Sequence, residues 1–341
     1  MSKLICVEPW QRYVVIMSEI MRHGYLIQAA IMNISLQDIG KSASTGHECG
    51  LLINDRNASY SYISSLRSVF RLHNETGKYP PVQLRYALQF FNRLIPCLVN
   101  IWSHLFGTAY FLVGIVRFNQ RHSQNSESAQ STPTYSCDRG IVSLYCASVA
   151  VCFALSAIFH TLADQSYALH IFSNKLDHLG IVVVMWGTGV SNMHFALRCE
   201  SPYVKSLYVV ALTLAATLCA MVTLRSRFRL PNYRTDRLYL YSFLGAVLFL
   251  PCMWHAWKVL GTLHALNKAM GLRSFIGLAS INSLGGVLYA TRVPERWFPG
   301  ALDLAGHSHN WMHVLTVVGA MIRLQGLFYV YEDSFKIKVC N

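Results

Sequence analysis

The sequence is short of charge, and shorter still of acid. Charged residues fill 13% of its 341 positions, with 16 Asp and Glu against 29 Lys and Arg, about half the charged share of a soluble domain. Such a chain cannot clothe a water-exposed globule, and a positive mean hydropathy of +0.33 places it among membrane proteins. Also missing is any Cys-x-x-Cys pair or cysteine-rich block: the ten cysteines are scattered, several inside apolar runs. They read as small buried hydrophobes, which excludes a disulfide framework and a thiolate zinc site. No signal-peptide pattern opens the chain, because Glu8, Arg12, Glu19 and Arg22 interrupt the opening residues before an apolar core forms. The first hydrophobic span is therefore expected to insert internally. There is no internal repeat and no Pro-rich or Gln-rich tract, and the polar stretch 119–139 reads as a loop. The formal net charge of +13 would point to nucleic acid in a soluble protein; here it points to basic loops beside a bilayer and to no nucleic-acid partner.

What the sequence does have is apolar stretches of membrane-spanning length. A transmembrane helix needs about 20 mostly apolar residues. Seven stretches qualify or nearly so: 101–117, 141–163, 178–198, 204–224, 238–257, 274–291 and 309–331. The sixth is short and rich in Gly and Ser (IGLASINSLGG), which suits close helix packing in lipid. Seven is the best count, with six or eight as the alternatives. The expected fold is an all-α integral membrane protein with an N-terminal region over 1–100, a seven-helix transmembrane domain over 101–331 and a short tail over 332–341. Between spans four and five, RSRFRLPNYRTDR carries Arg225, Arg227, Arg229, Arg234 and Arg237 against Asp236, so this loop is expected in the cytoplasm. The other loops give little help. With seven spans the N-terminus is then cytoplasmic and the C-terminus extracellular or lumenal, and the sequons at Asn57 and Asn74 stay unglycosylated.

Ionisable side chains at or inside an apolar span are costly unless paired, so they mark functional candidates. The second span carries Ser156 and His160 at i and i+4, on one face near its end (SAIFH). The third opens with KLDHLG, which places Asp177 in its first turn. The seventh opens with His309 and His313 in GHSHNWMH, again i and i+4 and about 40° apart around the helix. Among 14 histidines roughly half an H-x-x-x-H pair arises by chance, so the spacing needs corroboration. The crossings supply it: span two ends, and spans three and seven begin, at one leaflet. His160, Asp177, His309 and His313 therefore converge at the cytoplasmic side. Three neutral imidazoles at one point make a three-ligand zinc site with an open fourth position, the arrangement of catalytic zinc. Asp177 can orient or deprotonate a water there, and the Ser156 hydroxyl can hold that water or a substrate oxygen. Taken singly, an interfacial His is ordinarily a hydrogen-bonded anchor, and Asp177 a charge favoured by a helix N-terminus; it is their co-location that argues for metal. His307 lies about 200° from His309 around the helix and is set aside as a surface residue or one behind the ligands. His178, pointing away from Asp177, and His255, beside Trp254 and Trp257 on the opposite leaflet, are set aside too.

In order along the chain, SAIFH, Asp177 in KLDHLGIVVVMWGT, RVPERWFPG and GHSHNWMHVL resemble the progestin and adipoQ receptor family, which includes the haemolysin III-related proteins. The flavour is closest to its adiponectin-receptor-like and fungal zinc-homeostasis branch. The likeness covers about residues 60 to 331. It implies seven helices, a cytoplasmic N-terminus, an intramembrane zinc held by His160, His309 and His313, and Asp177 and Ser156 acting around the water at the metal. Adiponectin receptors are associated with ceramide hydrolysis, and fungal members with sterol, lipid and zinc homeostasis. One motif departs from the family. There Glu-x-x-Asn runs unbroken into the first helix; here RLHNETG and NIWSHLFG are separated by residues 78–99. Glu75 and Asn100 are thus no longer neighbours by local spacing. The segment 78–99 reads either as an interfacial helix, with Arg85 and Arg93 toward headgroups, or as a retained intron. The second reading is preferred, because GKY is how a common splice-donor sequence translates in this frame.

Three functions fit these residues. The expected one is a zinc-dependent hydrolase of lipid amides, with a ceramide-like substrate entering laterally between helices, zinc polarising its carbonyl and Asp177 as base. The second is a non-enzymatic receptor in which zinc is structural and an extracellular ligand, unnamed by the sequence, is bound. The third is a metal or proton transporter, for which more acidic residues in mid-span are expected.

Overall fold

The computed structural model describes residues 96–124, 133–163, 166–298, 302 and 306–333; Glu75, nearly all of the segment 78–99 and the end of the chain lie outside them. The described residues form helices α1 (Pro96–Gln124), α2 (Pro133–Leu162), α3 (Tyr167–Ala196), α4 (Pro202–Thr223), α5 (Arg234–Leu260), α6 (Leu263–Met270), α7 (Leu272–Thr291) and α8 (Ser308–Asp333). Two short 3-10 turns, Ser226–Arg229 and Pro231–Tyr233, join α4 to α5. All but α6 are long and apolar enough to cross a membrane, so the seven expected spans are the seven long helices. Their ends carry ordinary signals. The Ser201 hydroxyl accepts from the Val204 amide and Pro202 opens α4, while Gly261 and Gly271, both at positive φ, close α5 and α6, a backbone that costs glycine least.

Two boundaries differ from expectation. The polar stretch 119–139 is mostly helix: α1 continues through Asn119, whose amide donates to the Ile115 carbonyl at 2.9 Å and to Ser143 Oγ of α2 at 3.0 Å. Polar side chains that find partners on a neighbouring helix no longer break their own. Helix α3 begins at Tyr167 behind the cap residue Ser166, eleven positions ahead of the expected span. Asp177 is thus well inside the helix and not in its first turn, which removes the helix-dipole explanation for that carboxylate. The polar residues of the added turns bond back to the helix, Ser173 Oγ to the Leu169 carbonyl at 2.7 Å and His178 Nδ1 to the Asn174 carbonyl at 2.8 Å.

Small residues set the two most extensive seams. Between the antiparallel α2 and α3, a Cβ on Gly180 would stand 3.0 Å from the Cys152 Cα, and one on Gly187 would collide with Ser148. Between α7 and α8, Gly285 faces Met312, Gly277 faces Ile322, and Gly319 and Gly326 press against Asn282 and Ser274. This is the close packing expected of the glycine- and serine-rich sixth span, where van der Waals contact replaces the hydrophobic effect between helices in lipid. On α4 the exposed side chains Leu207, Val210, Leu214, Leu218 and Met221 form one helical stripe, while Val209, Leu212, Ala216 and Cys219 face inward. An apolar stripe pointing outward is what a bilayer requires and water forbids.

Cys137, Cys146, Cys152, Cys219 and Cys252 are buried free thiols, as small hydrophobes should be. Cys199, in the turn from α3 to α4, is disulfide-bonded, which corrects the reading of all ten as thiols. Arg323 of α8 is 0% exposed. Its guanidinium donates to the carbonyls of Met270 (2.8 Å) and Gly271 (3.2 Å), to Ser274 Oγ (3.0 Å) and to Asn192 Oδ1. It thereby places a cation at the negative C-terminal end of α6 and ties α3, α6, α7 and α8 together. Arg323→Met keeps the volume and strands these acceptors, so it should cost about 3 kcal/mol or more, read as a lower thermal unfolding midpoint in detergent. An unchanged midpoint would refute this account of the fold's inner clamp.

Candidate metal centre

The last turns of α2 and the first two turns of α8 meet at one end of the bundle, and there His160, His309 and His313 turn toward one another. His313 Nε2 lies 3.2 Å from His160 Nε2 and 3.2 Å from His309 Nε2, and all three ligand atoms fall within 4.8 Å of one another. The ring centroids stand 4.8 to 5.0 Å apart. His160 and His313 are buried and His309 is half-buried. A ring nitrogen carries either a proton or a lone pair, so one Nε2 facing two others is satisfied better by a shared cation than by hydrogen bonds. Nitrogens bonded to a tetrahedral zinc at about 2.0–2.1 Å stand roughly 3.3 Å apart; the two spacings at His313 match this, and the third pair lies within 4.8 Å. The donor set, three imidazoles without thiolate, suits zinc and leaves a fourth position open.

Sequence reasoning missed most of what holds this triad. Glu295, in the turn after α7, accepts from the Ser308 amide at 2.7 Å and from Ser308 Oγ at 2.5 Å, fixing the start of α8 one residue before His309. Burial pushes the Glu295 carboxyl up, but the two Ser308 donors outweigh it and hold the group below its ordinary value, so it stays ionised at the positive end of the helix. Asn310 accepts from the Gly306 amide at 3.1 Å and donates to Asn100 Oδ1 at 2.7 Å, which ties α1 to the same turn. One turn further along α1, the His104 ring stacks between His313 (4.0 Å) and Phe153 (4.6 Å). Tyr289 of α7 sets its ring 5.2 Å from that of His309. Glu295 sits in RVPERWFPG and His104 in NIWSHLFG; the first signal was a carboxylate among arginines, the second a histidine in an apolar helix start.

The remaining expected residues fall near the triad but not within it. Ser156 is buried one turn before His160. The antiparallel register that sets Cys152 against Gly180 puts Ser156 level with Asp177, a turn away on each helix. Asp177 lies in electrostatic reach of Cys152 and Tyr241 and outside the group of ligand atoms within 4.8 Å. His307 is buried and sits just ahead of α8, its ring 6.2 Å from that of His309; of its two readings the surface one fails. His255 pairs with Glu200 (3.0 Å) and Tyr208 (3.1 Å) at the other end of the bundle. There, too, buried Asp138 holds His194 and Arg198, each at 2.7 Å.

Known proteins are similar to this chain in sequence. An adiponectin receptor protein of Drosophila melanogaster is 28% identical over 268 residues, 78% of this chain and 53% of its own length. The ADIPOR-like receptor IZH2 of Saccharomyces cerevisiae is 26% identical over 277 residues, 80% of this chain and 76% of its own. A heptahelical transmembrane protein of rice, ADIPOR3, is 33% identical over 186 residues, 52% of this chain and 44% of its own. The chain thus spans about half the length of the fly and rice relatives. Residues 96–324 match the family described as Haemolysin-III related, and the chain belongs to that family, as a seven-helix, multi-pass membrane protein of adiponectin-receptor-like type.

Proposed function

We propose that the protein is a zinc-dependent hydrolase of lipid amides, ceramidase-like, with its site at the cytoplasmic leaflet. The observation that carries this reading is the triad: three imidazole nitrogens within 4.8 Å of one another, with a hydroxyl and a carboxylate level with each other on the adjoining helices. When bound, zinc supplies Lewis acidity at the position that His160, His309 and His313 leave open. The chain supplies the rest. Asp177 takes a proton from the attacking water as its oxygen bonds to the amide carbon, and the Ser156 hydroxyl donates to the carbonyl oxygen as charge builds there. The C–N bond then breaks, the proton passes from Asp177 to the leaving amine, and a fatty acid and a long-chain amine result. A lipid amide suits the place, because the histidines stand among membrane helices, where a substrate that moves within the bilayer is at hand. The orientation draws support from Cys199: disulfides belong to oxidising compartments, and Cys199 follows the end of α3 away from the triad.

A second reading is favoured by the burial of the triad and by the position of Asp177 outside the ligand group. There zinc would clamp α2 to α8 in a receptor, with no chemistry. Purified protein assayed for fatty-acid release from ceramide separates the two. The hydrolase reading expects release by the wild type, loss of both zinc and release in His309→Ala, and retained zinc with release lowered about 10²- to 10⁴-fold in Asp177→Asn. Zinc bound in both wild type and Asp177→Asn, with release from neither, would leave the receptor. Under either reading Glu295→Ala should weaken zinc binding about tenfold or more by freeing the start of α8, measured by competition with a coloured chelator; an unchanged affinity would remove Glu295 from the support of the site.

A further inference from the structure

The loop between α4 and α5 is more ordered than a solvated run of charge needs to be. Arg225 and Arg227 are exposed and Arg234 is half-buried, beside the single exposed acid Asp236. Between them Leu230 is 43% exposed, an apolar side chain set among arginines where two membrane spans meet their loop. Beneath the loop lies Arg237, only 5% exposed. Its guanidinium turns back to donate to the carbonyls of Phe228 and Leu230, the latter at 3.1 Å, and donates through Nη2 to the Tyr289 hydroxyl at 3.2 Å. The Tyr289 ring in turn has the Arg234 guanidinium over one side at 5.0 Å and the His309 ring at 5.2 Å. Two arginines from the first turn of α5 and one imidazole of the triad therefore share a single tyrosine.

This arrangement has a chemical partner. Guanidinium groups pair with phosphate through parallel N–H···O bonds, and a loop already held by a buried arginine loses little freedom on binding. The loop joins two membrane spans and shows Leu230 beside its arginines, so the phosphate it meets is that of a lipid in the same leaflet rather than of a soluble protein. An anion docked there offsets positive charge close to a cation site, and it fixes the loop that positions Tyr289. We propose that the α4–α5 loop is a docking site for the phosphate of an anionic phospholipid, and that Arg234, Arg237 and Tyr289 carry its occupancy to His309. The docking stands on the loop alone; the coupling rests on the metal reading of the triad. Because coupling between two sites is reciprocal, lipid and metal must strengthen each other by one factor.

The test uses the full chain in nanodiscs of phosphatidylcholine with and without phosphatidylserine. Zinc affinity is measured by chelator competition and retained lipid by mass spectrometry. Phosphatidylserine should be retained over phosphatidylcholine and should tighten zinc binding several-fold, and zinc loading should raise phosphatidylserine retention by the same factor. The double variant Arg225→Gln, Arg227→Gln should lower that retention about tenfold and lose the effect on zinc. Tyr289→Phe, which removes only the hydroxyl, should keep the retention and lose the effect. Equal retention of the two lipids, or full retention in the double variant, overturns the docking site; so does an acidic peptide that binds the loop where phosphatidylserine does not. Retention without any change in zinc affinity overturns the coupling. If the wild type binds no zinc in either bilayer, the metal reading and the coupling fall together, and retention alone decides the docking.

Discussion

Three imidazole nitrogens gathered within 4.8 Å of one another at the buried end of two helices impose the constraint on which the rest of this structure depends. Each of these nitrogens carries either a proton or a lone pair, so one Nε2 facing two others demands a narrow geometry. The helices that carry them must be held in that geometry. The start of α8 is accordingly tied on several sides: Glu295 grips Ser308, Asn310 reaches Asn100 on α1, and His104 backs the His313 ring. Each tie is buried, where a satisfied polar contact counts for more than it would in water.

The seams of the bundle serve the same end. Glycine and serine let α2 approach α3, and α7 approach α8, closely enough that side chains two helices apart share one space. Ser156 and Asp177 come level because of the first seam, and Tyr289 meets His309 because of the second. Arg323 does a comparable service farther along α8, closing the end of α6 with a cation in place of a carboxylate pair. A fold that is apolar on its outside thus keeps its polar contacts inside, grouped at a few places.

Much of this was legible in the sequence, and the exceptions have physical causes. Seven spans follow from composition and length, and the convergence of His160, His309 and His313 from the parity of the crossings. Asp177 was misplaced in its first turn because capping and back-bonding let polar residues from Ser166 to Asn174 extend α3, which hydropathy alone does not register. The loop 119–139 shrank because Asn119 finds a partner on α2, and such a partner is invisible until the helices pack. Glu295, His104 and Tyr289 were not singled out as support for the triad for the same reason: each acts across sequence distance on a residue of α8. Cys199 stands in a turn and not in an apolar run, a feature the sequence does show.

Zinc K-edge absorption fine structure on the purified, zinc-loaded chain tests the central claim most directly. The account predicts nitrogen or oxygen ligands at about 2.0–2.1 Å with the multiple scattering of imidazole and no sulfur shell at about 2.3 Å, and loss of that imidazole signature in His313→Ala. A sulfur shell, a six-oxygen environment, or a spectrum and zinc content unchanged in His313→Ala would contradict it.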